Sequence, residues 1–165
     1  MWQVKISKIH GKGIIASRNI SKGTKIIEYI GEKIPKKEGD RRSNARINKF
    51  LKSKKSGSVY IFELNKSYDI DGFFKYNKAR YINHSCDPNC EVEIEKDQIW
   101  ISSIKNIKKG EELSYDYGYV FDKDDYKDHE CKCGSKYCIG YIISSDEWHK
   151  FLKHLKKNMS KLKSR

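Results

Sequence analysis

Over the first 120 residues, apolar and polar positions alternate in short bursts rather than at helical spacing. V-K-I-S-K-I, K-I-I-E-Y-I, V-Y-I-F-E-L, C-E-V-E-I-E and Q-I-W-I-S-S-I carry β-branched and aromatic residues between turn signals. That pattern predicts a mainly β fold of short strands with few helices. Cys90 to Glu95 and the run from Gln98 flank Lys96-Asp97, which is hairpin spacing. N-I-S-K-G at Asn19 to Gly23 recurs as N-I-K-K-G at Asn106 to Gly110. Five residues are too few for an architectural repeat and predict one turn chemistry used twice.

Two segments read as helical. Between Lys37 and Lys52 a basic stretch with Ala45, Ile47, Phe50 and Leu51 predicts a short surface helix inside an insert over 36–57. At the carboxyl end Ser144-x-x-Glu147 has the form of a capping box. After it, Trp148, Phe151, Leu152, Leu155, Met159 and Leu162 share one face at helical spacing. This predicts a basic amphipathic helix over 143–165 that docks its stripe on the domain, in preference to a membrane surface.

Composition narrows the class. A chain of 165 residues with 37% apolar content suits one domain with a modest appendage. There is no apolar run of about 18 residues and no apolar h-region near Met1, so no membrane span or secretory signal is expected and the chain reads as intracellular. An odd cysteine count, five, favours metal ligation over a disulfide framework. The net charge of +13 sits in two blocks. Lys36 to Lys55 holds nine Lys/Arg against Glu38 and Asp40, and Trp148 to Arg165 holds seven Lys/Arg and no acid. Both suit DNA or another acidic surface. Phe121 to Glu130 has the opposite sign, with five acids against two lysines.

Candidate chemistry gathers in two places. C-K-C-G-S-K-Y-C brings Cys131, Cys133 and Cys138 close enough for three corners of a tetrahedral zinc site, with Gly134 to turn the chain; His129, Cys86 and Cys90 are candidates for the fourth ligand. R-Y-I-N-H-S-C-D-P-N-C, from Arg80 to Cys90, admits a metal site, a Cys/His nucleophile or a polar turn.

N-H-S-C-D-P-N at Asn83 to Asn89 resembles the signature of SET-domain protein lysine methyltransferases. The other motifs follow in that family's order: G-K-G at Gly11 to Gly13, I-S-K-G-T-K-I-I-E-Y-I-G-E at Ile20 to Glu32, Tyr60-Ile61-Phe62, Ile70-Asp71, G-E-E-L-S-Y-D-Y at Gly110 to Tyr117, and the C-x-C-x4-C of a post-SET segment. The resemblance implies small β-sheets with a knot-like carboxyl-terminal threading and a C-terminal α-helix, arranged as a SET domain over 1–120 and a zinc-binding post-SET segment over 121–142. Because no cysteine-rich stretch precedes Met1, a member without the pre-SET region is expected.

By the same resemblance one structural zinc is held by Cys86, Cys131, Cys133 and Cys138. S-adenosylmethionine is bound by His10, Gly11, Lys12, Gly13, Tyr60, Arg80, Asn83, His84 and Lys132. Tyr117 is the implied catalytic tyrosine, Tyr115 the Phe/Tyr switch that favours monomethylation, and Tyr60 a third channel aromatic. Gly72 in place of Ala, Tyr76-Asn77 in place of Gly-Asn, and Ile139 in place of Arg depart from the family pattern. The expected activity is methyl transfer to a lysine ε-amine, in a histone or nucleosome, with nuclear or chromatin localisation in a eukaryotic or host cell and cytoplasmic localisation otherwise. The alternatives are a non-histone substrate and a non-catalytic, zinc-stapled chromatin- or nucleic-acid-binding module.

Overall fold

The computed structural model describes residues 1–53 and 59–163. In chain order come β1 (Trp2–Ile6), β2 (Lys12–Ala16), β3 (Lys25–Glu28), β4 (Glu32–Pro35), α1 (Lys36–Ser53), β5 (Ile61–Glu63) and β6 (Tyr68–Asp71). They are followed by β7 (Asn83–His84), β8 (Cys90–Glu95), β9 (Gln98–Ser103), β10 (Ser114–Tyr115) and α2 (Trp148–Lys163). The strands form four small sheets: the β1–β2 hairpin, β3–β9–β8, β4–β6–β5, and a parallel β7–β10 pair. No helix among the described residues is long and apolar enough to cross a membrane.

β9 is the central strand of its sheet, and Ile99, Ile101, Ser102 and Ser103 are all buried there. Its hairpin with β8 turns through Lys96 (φ 50°) and Asp97 (φ 63°), the two left-handed residues of a type I′ turn. Ile14, Ile101 and Leu113 are fully enclosed and join hairpin, sheet and β10 approach in one core.

The two N-I-x-K-G pentapeptides face each other. Ile20 and Ile107 exchange backbone hydrogen bonds at 2.8 Å, Asn19 accepts from the Lys109 amide at 2.8 Å and Asn106 from the Lys22 amide at 2.9 Å. The turn is used twice, and each copy caps the other.

The helices differ from their sequence reading. α1 runs for 18 residues, and its register is set by charge. Arg42 and Arg46 reach the buried Asp71 carboxylate at 2.8 and 2.7 Å, Arg42 also pairs with Glu32 and Glu38, and Lys36 bridges Glu63 and Asp69. The basic block thus spends much of its charge internally. Residues 54–57 of the expected insert, and the Phe50 and Leu51 side chains, lie outside what is described.

At α2 the expected capping box is not formed. Ser144 makes no side-chain cap; residues Ser145–Glu147 form a 3-10 turn, and Glu147 pairs with Lys150. The cap is supplied from elsewhere, by Asp116 Oδ2 accepting from the Ser145 amide at 2.9 Å. The predicted stripe docks only in its first turns. Phe151 is buried, and Trp148 and Leu155 are partly buried, against Tyr126, Tyr141 and Ile143 in a second small core, whereas Leu152 and Met159 are exposed. The Leu162 side chain lies outside what is described.

Candidate functional site

Aromatic rings converge where β10 meets β7. The Tyr115 and Tyr117 centroids are 5.0 Å apart, Tyr119 stands 5.9 Å beyond Tyr117, and Phe62 lies 6.2 Å from Tyr115 and 5.2 Å from Tyr29. The Tyr117 hydroxyl donates to the Ile82 carbonyl at 3.0 Å and the Tyr29 hydroxyl to the Tyr60 carbonyl at 3.0 Å. Tyr60 takes a left-handed conformation (φ 56°), unusual for an aromatic residue, and its carbonyl is also held by the Gly72 amide at 2.8 Å. Burial raises the pKa of Tyr29, Tyr115 and Tyr117, so all three keep their phenolic protons at neutral pH. Gly72 matters by what it lacks: a Cβ there would come within 2.4 Å of the Tyr29 ring and of Asn77 Nδ2.

The His10–Gly13 loop is built from below by two side chains. Asn83 Nδ2 lies within hydrogen-bonding range of the Lys12 and His10 carbonyls, at 3.1 and 3.2 Å, and of Ser7 Oγ and Glu112 Oε1, at 3.0 and 2.9 Å. Glu112 also accepts from Ser7 Oγ at 2.6 Å. Gly13 permits this packing, because a Cβ would fall 2.4 Å from Glu112 Oε1. The Asn83 amide nitrogen therefore shapes the loop from inside.

Beside this loop a cleft of about 440 Å³ is lined by Val4, Lys5, Ile6, Lys12, Lys78 and Tyr81. Its three lysines suit a ligand carrying a carboxylate. Arg80 stacks its guanidinium 4.0 Å from the Tyr60 ring centre and 5.5 Å from that of Tyr81, bonds the Phe73 carbonyl, and keeps a buried Nε with no protein partner among the described residues. Lys132 is exposed and paired with Glu130 at 3.2 Å.

The sulfur atoms of Cys86, Cys131, Cys133 and Cys138 all lie within 4.8 Å of one another. Cys86 Sγ is 3.8 Å from Cys131 Sγ and 4.0 Å from Cys138 Sγ. A tetrahedron with zinc–sulfur bonds of about 2.3 Å has edges of about 3.8 Å, so the thiols can hold one such ion. Burial pushes the Cys86 thiol up to about 12 and raises that of Cys131, while backbone and neighbouring-thiol hydrogen bonds overcome burial and bring Cys133 down to about 7. Ion binding must therefore displace protons. Cys90 is buried apart from this group, with its thiol toward Asn89 Oδ1 at 3.4 Å. His129 also stands outside it, against Tyr119 and Asp125.

His84 lies between the two centres. Its Nδ1 accepts from the Tyr117 amide at 3.2 Å and its Nε2 is 3.6 Å from Cys86 Sγ. Burial lowers its pKa, outweighing the nearby Asp116 carboxylate, so the ring is neutral.

Several residues in this arrangement carried no role in the sequence reading. Glu112 and Asp116 sit inside the quoted G-E-E-L-S-Y-D-Y run, and Tyr29 inside the I-E-Y-I-G-E run, so the signal was present without a geometry to assign it. Ser7 and Tyr119 had no signal, being a lone serine before a turn and one aromatic among many.

A family model described as the SET domain matches residues 11–118. The chain is 38% identical over 136 residues to histone-lysine N-methyltransferase 2D of Homo sapiens, covering 80% of this chain and 2% of that protein. It is 42% identical over 136 residues to histone-lysine N-methyltransferase trr of Drosophila melanogaster, covering 80% and 5%. It is 39% identical over 140 residues to the histone-lysine N-methyltransferase, H3 lysine-4 specific, of Aspergillus oryzae, covering 82% and 11%. It thus spans a small fraction of the length of each of these relatives.

Proposed function

Because the chain belongs to the SET-domain family, we propose that it transfers a methyl group from S-adenosylmethionine to a lysine ε-amine of a histone, adding one methyl. The observation that carries this reading is the convergence of Tyr115, Tyr117 and Tyr119, with Tyr117 bonded to His84 and the adjacent Asn83 bonded to the His10–Gly13 loop. S-adenosylmethionine would supply an electrophilic methyl carbon on a sulfonium. His10, Gly11, Lys12, Gly13, Arg80, Asn83 and His84 are the groups that would hold it, with the Lys12 ammonium suited to its carboxylate. Cys86, Cys131, Cys133 and Cys138 would hold one structural zinc.

The chain's own work concerns the amine. A free lysine titrates near 10.4, so roughly one in a few thousand is neutral at pH 7. The lysine channel that the family resemblance implies among Tyr60, Tyr115 and Tyr117 would disfavour the ammonium by desolvation and align the lone pair for direct displacement. The proton of the Tyr117 hydroxyl is committed to Ile82, which would leave its oxygen lone pairs to accept from the substrate amine and orient its N–H bonds. The buried Tyr115 hydroxyl takes up space that added methyls would need, which supports a single transfer.

Three relatives whose names specify histone lysine make a histone tail the first substrate to test, and H3 lysine 4, the specificity in the name of the Aspergillus protein, the first site. The test is incubation of the purified chain and cosubstrate with core histones or nucleosomes, with lysines read by mass spectrometry. One added methyl at one histone lysine is expected. Cofactor binding without histone methylation would move the substrate to another protein. Absence of cofactor binding would replace the enzyme with a binding module.

A further inference from the structure

We infer that His84 is a positioning residue that couples metal occupancy at the four thiols to the placement of Tyr117. This rests on the reading of the thiols as a metal centre and of Tyr117 as the residue beside the amine.

The geometry allows one tautomer. Tyr117 donates its amide proton to His84 Nδ1 at 3.2 Å, so the ring proton is on Nε2, and Nε2 faces Cys86 Sγ at 3.6 Å. A thiol at Cys86 is a weak acceptor, whereas a metal-bound thiolate accepts well. The imidazole N–H therefore gains its partner when the centre is loaded. Outer hydrogen bonds of this kind orient metal ligands and raise their affinity. The same bond fixes the ring, whose opposite nitrogen fixes the Tyr117 backbone.

Two features make the ring a stiff link. His84 is 3% exposed and belongs to β7, paired in register with Tyr115. Its ring meets that of Tyr117 edge-on at 5.5 Å. Asp116 does not compete for Nδ1. It stands 3.8 Å away, with its oxygens taken by the Gly118 and Ser145 amides at 3.0 and 2.9 Å. The pairing therefore runs from Cys86 through one ring to the tyrosine, so the post-SET thiols act on the site through His84 as well as through their own packing.

The two ends of the ring can be tested separately in the full-length chain. H84N keeps an acceptor near the Nδ1 position and loses the Nε2 donor; H84Q keeps a donor toward Cys86 and loses Nδ1. Zinc affinity is read by competition with a chromophoric chelator, and Tyr117 by its backbone amide resonance. H84N should weaken zinc binding by about 10- to 100-fold. H84Q should hold zinc within about threefold of wild type by the same bookkeeping, yet displace the Tyr117 amide resonance and lower kcat more than it raises KM for the cosubstrate. In the wild type, zinc removal should move the same resonance. Unchanged zinc affinity in H84N, or an unmoved Tyr117 resonance in H84Q, overturns the coupling. If neither variant folds, the nitrogen spectrum of wild-type His84 decides, because a proton on Nδ1 overturns it and one on Nε2 supports it. A wild type that shows the zinc-dependent shift but methylates no protein leaves the coupling intact and removes the enzymatic reading. Methylation by a chain that binds no zinc does the reverse.

Discussion

Tyr117 gives its hydroxyl proton to the carbonyl oxygen of Ile82, 3.0 Å away, across the junction of β10 and β7. The bond fixes which way the phenolic lone pairs face, and burial keeps the proton in place by raising the phenol pKa. Y117F should therefore fold and bind cosubstrate within a few-fold of wild type while kcat falls by about 10²-fold, the scale expected when the reacting amine loses its orientation. Steady-state kinetics with a histone substrate and calorimetric cosubstrate titration measure the two effects.

Tyr115 is 7% exposed and packs against Tyr117 and Phe62. Removing its hydroxyl leaves the ring in place and opens room for a methylated amine. Y115F should shift the product from mono- to di- and trimethyllysine with little change in the first transfer. Time-resolved mass spectrometry of a single peptide checks it, and an unchanged product ratio would show that the hydroxyl does not gate the channel.

The tie between α1 and β6 predicts an acid-sensitive fold. Burial works against the Asp71 carboxylate, but hydrogen bonds from Arg46 and Arg42 outweigh it and hold its pKa below the ordinary range. Such a group contributes stability that is complete above its unfolded pKa of about 3.9 and disappears as pH falls through the lower folded value. D71N should cost roughly 3 kcal/mol near neutrality, the low end for a severed buried pair, because the Arg42 and Arg46 side chains keep 23% and 21% of their surface exposed. The difference in Tm between wild type and D71N should hold steady above about pH 5 and shrink below about pH 4.

Asp124 and Asp125 project from the acidic segment with 78% and 58% of their side chains exposed. D124K/D125K should weaken binding of a lysine-rich histone peptide by about fivefold at low salt, and the difference should fade as salt rises. Fluorescence anisotropy across a salt series measures it. Equal affinities would place the peptide elsewhere.

The second core makes a separate claim on α2. Phe151 is 1% exposed, with ring centres of Tyr126, Phe121 and Tyr141 between 5.4 and 5.7 Å away. F151A should cost about 3–5 kcal/mol locally. Amide exchange over 121–160 should rise while β8 and β9 remain protected, and cosubstrate affinity should fall because the thiol segment loses its backing.

Much of the chemistry was legible in the sequence alone. Alternation and turn residues mark strands because their physics is local, so the Lys96-Asp97 hairpin and the mainly β architecture could be read directly. N-H-S-C-D-P-N, E-E-L-S-Y-D-Y and C-x-C-x4-C carried the family because those side chains sit at fixed short spacings. What lay beyond reach depended on contacts between residues distant in the chain. Counting charges made 36–55 a basic surface, yet Arg42 and Arg46 are spent on Asp71, 29 and 25 positions away. The repeated pentapeptide announced a turn, but only folding brings Asn19 to Lys109 and Asn106 to Lys22. Ser144 and Glu147 had the spacing of a cap, and Asp116 from beside the tyrosines took the bond instead. Local spacing determines which groups are offered; the tertiary structure decides which satisfy one another and which remain free for a substrate, because a buried donor or charge takes whatever partner packing brings within about 3 Å.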